Sequence, residues 1–174
     1  MKHISKGFTI IELLIVIIVI AVLATISIVA YNGSQDRAEY AHAASDMKHI
    51  NDALLVYKAQ NGSYPSTGGA YVYQNSPNGG STCGGSTLNT TFLSMLVPSY
   101  LDTMPVGKTK SSYTCFSYAY ISNGTDYKLL RWSQANSSSP YTGLSQPEST
   151  NNSLIDPQRT TYAWGYWTQG AASW

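Results

Sequence analysis

Between Phe8 and Ala30 the chain runs 23 residues with a single charge, Glu12. As a helix rising ~1.5 Å per residue, that stretch reaches about 35 Å. The hydrocarbon core of a bilayer is about 30 Å thick, so the segment is long enough to cross a membrane. It exceeds the apolar core of an ordinary signal peptide, which is about 7–15 residues. The alternative is a conventional cut, for which Ala21, Ala24 and Ala30 offer small residues. Lys2 and Lys6 flank the start with no acid among residues 1–7, and the first charges beyond, Asp36, Arg37 and Glu39, sum to negative. The positive-inside bias therefore places the N-terminus in the cytoplasm and residues 31–174 outside. Glu12 is the anomaly. An acid at the centre of a membrane helix costs roughly 2.5–3.5 kcal/mol, and somewhat less near an end. The sequence thus predicts a cationic partner that arises later.

Lys6-Gly7-Phe8-Thr9-Ile10-Ile11-Glu12-Leu13-Leu14 resembles the processing site of type IV prepilins and of the pseudopilins of type II secretion and competence systems. The resemblance is close over residues 1–31 and looser over 32–65. It implies that a membrane aspartyl peptidase, the prepilin peptidase, cuts between Gly7 and Phe8 and methylates the new N-terminus on Phe8. It also implies that Glu12 pairs with the N-terminal ammonium of a neighbouring subunit and sets the stacking register of a filament. A plain single-pass anchor with an incidental acid is the alternative. One departure concerns the helix itself. Ile28-Val29-Ala30-Tyr31 is similar to an Ile-Pro-Ala-Tyr stretch of many pilins, but Val29 stands where they have Pro, and Ala21 where Gly is frequent. Without those breakers a continuous helix is expected, with Asn32-Gly33 its weakest point.

Removing the leader subtracts Lys2 and Lys6 from ten basic residues, leaving eight against nine acids, so the mature chain is near neutral. No basic stripe suggests nucleic acid. Cys83 and Cys115 both fall in the exterior part, where thiols oxidise, so a disulfide between them is expected. It would close a loop of about thirty residues, worth about 3–4 kcal/mol by loop entropy.

Residues 31–60 are expected to continue the helix beyond the membrane. Met47, Ile50, Leu54 and Tyr57 form an apolar stripe at steps of three and four. Asn61-Gly62 supplies a helix C-terminus and Pro65 forbids its return. His42, Asp46 and His49 share a face, which reads as a solvated polar stripe rather than a metal site, since no fourth ligand is evident. Residues 61–90, with Gly68-Gly69, Gly79-Gly80 and Gly84-Gly85, read as a surface excursion pinned by Cys83. Phe92, Leu93, Leu96 and Tyr100 suggest a short helix between Asn89 and Leu101. Ser112 to Ile121 and Asp126 to Ser133, joined through Asn123-Gly124, form a hairpin candidate. Residues 134–159 read as a long loop. Thr160 to Thr168 is a third strand, with Tyr162, Trp164 and Tyr166 on one face.

The expected fold is α+β. A long N-terminal helix, half membrane-spanning and half amphipathic, packs on a small C-terminal antiparallel sheet of about three strands, an architecture that resembles the pilins. The domain reading is a leader at 1–7, a membrane and filament-core helix at 8–30, its amphipathic continuation at 31–60, and a globular head at 61–174. Catalysis has no sequence support: there is no Gly-x-Ser-x-Gly, no phosphate-binding loop, and all three His precede residue 50. No cofactor is expected. Asp156, near Asn151 and Asn152, is a remote candidate for a calcium ligand. Trp164, Trp167 and Trp174 invite a glycan-binding reading, weighed against core packing and subunit contacts.

The resemblance implies a structural subunit of a type IV pilus. It would wait as a single-pass precursor in the cytoplasmic membrane, then be lifted by an assembly platform protein and motor ATPase into a helical homo-oligomer displayed as a fimbrium. The alternatives are a pseudopilin of a type II secretion or competence system, and a membrane-anchored adhesin. The long aromatic C-terminal part tilts the sequence reading toward the surface pilin.

Overall fold

The structure, a computed structural model, describes residues 7, 9–75, 92–107, 116–132, 153–160 and 163–174. One helix, α1, runs Ile10–Asn61, and four strands follow: β1 (Val72–Asn75), β2 (Phe116–Ser122), β3 (Tyr127–Trp132) and β4 (Ala163–Trp167). Contacts divide the chain into residues 1–37 and 38–174.

In the first unit the helix is continuous through Val29 and Asn32-Gly33. This agrees with the absence of a proline, since nothing there removes a backbone donor or forces a clash with the preceding turn. Ile10–Ile28 is long and apolar enough to cross a membrane, and no part of it is buried within the chain. In hydrocarbon a polar side chain must find its partner internally. Thr25 Oγ1 donates to the Ala21 carbonyl at 2.9 Å and Ser27 Oγ to the Leu23 carbonyl at 2.8 Å.

The second unit is the head. Residues from Tyr40 to Tyr57 of α1 present Ala43, Met47, Ile50, Ala53 and Leu54 to one face of the sheet, where Tyr118, Tyr120, Tyr127, Leu129 and Trp164 meet them. The predicted stripe Met47, Ile50, Leu54, Tyr57 is the packing face. The helix ends at Asn61: Gly62 takes φ +79° and its N–H donates to the Lys58 carbonyl at 2.8 Å, a left-handed cap.

Tyrosine dominates this core, and each ring brings a hydroxyl that must be satisfied once buried. Tyr118 donates to Asp46 Oδ2 at 2.8 Å, Tyr127 to Asn51, and Tyr120 to the Pro65 carbonyl at 2.9 Å. These bonds tie sheet to helix at fixed points along α1. Gly165 allows the closest approach: a Cβ there would run into the Leu129 carbonyl and lie 2.9 Å from Met47 Cε.

The sheet is antiparallel with order β1-β2-β3-β4, so among the described residues it has four strands, not about three. The additional strand, β1, lies in the segment read as a surface excursion. It is a four-residue edge strand with an irregular register between Tyr73 and Asn75. Its Gln74 amide pairs like a peptide, donating to the Pro105 carbonyl at 2.6 Å and accepting from Gly107 N at 3.0 Å. The hairpin forms where the sequence placed it. Asn123 Oδ1 accepts from the N–H groups of Thr125 and Asp126 at 2.9 and 2.8 Å, and Gly124 takes φ +92°. The expected short helix reduces to one 3-10 turn, Ser94–Leu96, with Phe92, Leu93 and Leu96 buried. The strand predicted at 160–168 shortens to β4. Trp164 and Tyr166 do lie against the helix-side cluster, and Tyr162 falls outside the described residues.

Candidate assembly site at the start of the long helix

Gly7 is exposed, with no atom within 4 Å of the position a Cβ would take. Phe8 lies outside the described residues. Thr9 caps α1, and Glu12 stands three residues on. The Thr9 N–H and hydroxyl both donate to Glu12 Oε2 at 2.8 Å, and Glu12 N–H donates back to Thr9 Oγ1 at 3.3 Å. This is a reciprocal capping box, which satisfies two of the donors orphaned at a helix start. The carboxylate also lies at the positive end of the helix dipole. Sequence reasoning singled out Glu12 but missed Thr9, although Thr-x-x-Glu before an apolar run is the signal that would have found it. Among the described residues no hydrogen bond to Glu12 Oε1 is seen.

The remaining candidates resolve differently. Cys83 and Cys115 both lie outside the described residues. His42, Asp46 and His49 do not form a uniformly solvated stripe. Asp46 is buried between Tyr118 and His42, whose Nδ1 is 3.1 Å from Asp46 Oδ2, while His42 and His49 are exposed. A helix face pointed at a sheet of tyrosines buries the residue that can accept a hydroxyl. Asp156 has both oxygens in bonds to cations, Oδ1 with Lys128 Nζ at 3.0 Å and Oδ2 with Arg159 Nη1 at 2.9 Å. Trp164 is a core residue, 2% exposed and stacked at a tilt on Tyr40 with centroids 5.3 Å apart, so it is not a surface for glycan. Trp167 packs on the other face of the sheet, against the cluster of Ala119, Leu130 and Ala163.

Comparison with known proteins bears on the same segment. Residues 2–28 match the family model described as the prokaryotic N-terminal methylation motif, and residues 30–89 match that of type II secretion system (T2SS) protein G. The chain is similar to the type II secretion system core protein G of Pectobacterium carotovorum subsp. carotovorum, 37% identical over 63 residues, covering 36% of this chain and 40% of that protein. The Escherichia coli (strain K12) protein of that name is 37% identical over 63 residues, 36% of this chain and 43% of that protein. The Pseudomonas aeruginosa one is 38% identical over 63 residues, covering 36% and 44%. The chain thus spans less than half the length of these curated relatives. No solved structure matches it. The chain carries a prepilin-type methylation motif and a protein G segment, and in these it is similar to the type IV pilin-like pseudopilins. The relatives carry secretion names, so the type IV pilus reading gives way to the secretion alternative, and a surface fimbrium or adhesin finds no support among them.

Proposed function

We propose that this chain is a pseudopilin of a type II secretion apparatus. It enters the cytoplasmic membrane through residues 8–30 with residues 1–7 inside. The prepilin peptidase cuts Gly7–Phe8 and methylates Phe8. An assembly platform protein and its motor ATPase then lift subunits into a filament outside the cytoplasmic membrane. Apolar helices exchange lipid for protein contacts in the filament core, and the free oxygen of Glu12 accepts the N-terminal ammonium of the neighbouring subunit.

The observation that carries the reading is the start of α1. A spanning helix hydrogen-bonds its other polar side chains internally and keeps one half-satisfied carboxylate five residues beyond Gly7. The match of residues 30–89 to protein G supports secretion over the surface pilus.

The test is a deletion of the gene, complemented with wild-type or Glu12→Ala protein. Loss of exoprotein secretion on deletion, rescue by wild type, and a cleaved but unincorporated Glu12→Ala chain are the expected results. Unimpaired secretion together with loss of surface pili on deletion would overturn the reading in favour of a type IV pilin.

A further inference from the structure

Lys128 lies on β3 on the sheet face away from α1, and its side chain is wholly buried. A lysine is almost never fully buried unless its charge is matched. Nζ has three hydrogen-bond acceptors at 3.0 Å each: Asp156 Oδ1, the Ala172 carbonyl and the Trp174 main-chain oxygen. An ammonium has three N–H donors, so each is accounted for. Arg159 completes the cluster. Its Nη1 donates to Asp156 Oδ2 and to the Trp174 main-chain oxygen, each at 2.9 Å, and its guanidinium lies 5.1 Å from the Tyr71 ring centre. Asp156 Oδ1 also accepts from Gln158 N–H at 3.1 Å.

The segments that meet here are distant in sequence. Residues 155–159 pair along the outer edge of β4 through Ile155 with Trp164, and through the Asp156 N–H to the Ala163 carbonyl at 3.1 Å. Residues 169–174 form one short turn of helix after β4. Neither has an extensive apolar anchor: of 169–174 Ala171 is buried, and of 155–159 Asp156.

We propose that the Lys128 ammonium is a built-in cation on which the head hangs both segments, a clasp closing residues 153–160 and 168–174 against the outer face of the sheet. The chemistry favours an ion over a neutral amine. Three acceptors converge on Nζ, one of them an oxygen of Asp156, whose other oxygen lies 2.9 Å from Arg159 Nη1. Removing the ammonium takes a donor from Asp156 and from the Ala172 and Trp174 main-chain oxygens, leaves Arg159 and Gln158 as the donors to Asp156, and strips the buried cluster of one of its two side-chain cations, which is the costly way to break a buried pair.

The test uses the full mature chain in detergent micelles. Lys128→Met fills a similar volume without charge, and Lys128→Ala leaves a gap. Both are expected to retain the helical circular dichroism while trypsin cleaves after Arg159 about tenfold faster or more, because loss of a buried ion pair costs several kcal/mol. Methylammonium is expected to slow cleavage of Lys128→Ala, and tetramethylammonium, which has no N–H, is not. Wild-type resistance of Lys128→Met would overturn the clasp. The unmodified protein supplies an independent readout should the variants unfold. A slowly exchanging lysine ammonium signal in 15N NMR is expected. Its absence, or a head lighter by one water from an amide between Lys128 and Asp156, would overturn the proposal.

Discussion

At Glu12 a carboxylate enters the bilayer with two hydrogen bonds from Thr9 already made. This satisfies one oxygen within the subunit; in the proposed function the other serves assembly. Thr9→Ala should therefore fray the helix start by about 1 kcal/mol, the usual loss at an N-cap. Incorporation into filaments, read as the sheared fraction on an immunoblot, should fall, and Thr9→Ser should restore it. Equal incorporation for Thr9→Ala would mean that the capping box has no part in assembly. In the head, Tyr118→Phe removes the hydroxyl that donates to buried Asp46. Stability in urea should drop by about 0.5–1.5 kcal/mol, the net worth of one hydrogen bond, because His42 stays beside the same oxygen. An unchanged midpoint would show that His42 or water replaces the donor. Gly165→Ala should be worse tolerated than its single methyl suggests, because Leu129 backbone and Met47 occupy the space. Overpacking of this kind costs about 1–3 kcal/mol.

Among the elements, α1 was the most legible. Its apolar run, the stripe Met47, Ile50, Leu54, Tyr57 and the Asn61-Gly62 stop are local patterns, and the structure uses each of them. The β2–β3 hairpin was legible for the same reason: Asn123-Gly124 marks a turn between two aromatic runs, and the loop it opens spans residues 123–126. β1 was not, because a four-residue edge strand ending in Gln-Asn has too few alternations to stand out among glycines. What makes Val72–Asn75 a strand is pairing with β2, some forty-five residues on, and the bond from Gln74 to residues 105–107. The burial of Asp46 and the Lys128 cluster were invisible for a related reason. Each depends on which residue a distant segment brings opposite, which helical or strand period does not encode. At the helix end, Gly62→Ala should lower the melting temperature of the head modestly, by about 1 kcal/mol of stability. The reason is its φ of +79°, which a Cβ disfavours. An unshifted melt would mean the cap relaxes without strain.

On the scale of the whole molecule, the head is a tyrosine-rich domain with a pH signature. Burial raises the ionisation of Tyr118, Tyr120 and Tyr127 far above the ordinary range and pushes Tyr71 up to about 12. In the unfolded chain these phenols ionise near pH 10. Below that pH neither state loses protons, and their contribution to stability is fully present. Above it the unfolded state releases protons that the folded state retains, so stability falls as pH rises through about 10 to 12. Phenolate absorbance at 295 nm and helical circular dichroism should change together in that window. Ionisation of all fourteen tyrosines near pH 10 with the fold intact would contradict their burial. The central proposal is that residues 1–7 are removed, that Phe8 is methylated and that the chain polymerises. Mass spectrometry of the N-terminus of the protein recovered from secretion filaments tests it most directly. The account predicts a chain that begins at Phe8 and carries one added methyl. A chain that retains residues 1–7, or that was cut near Ala24 or Ala30, would contradict it.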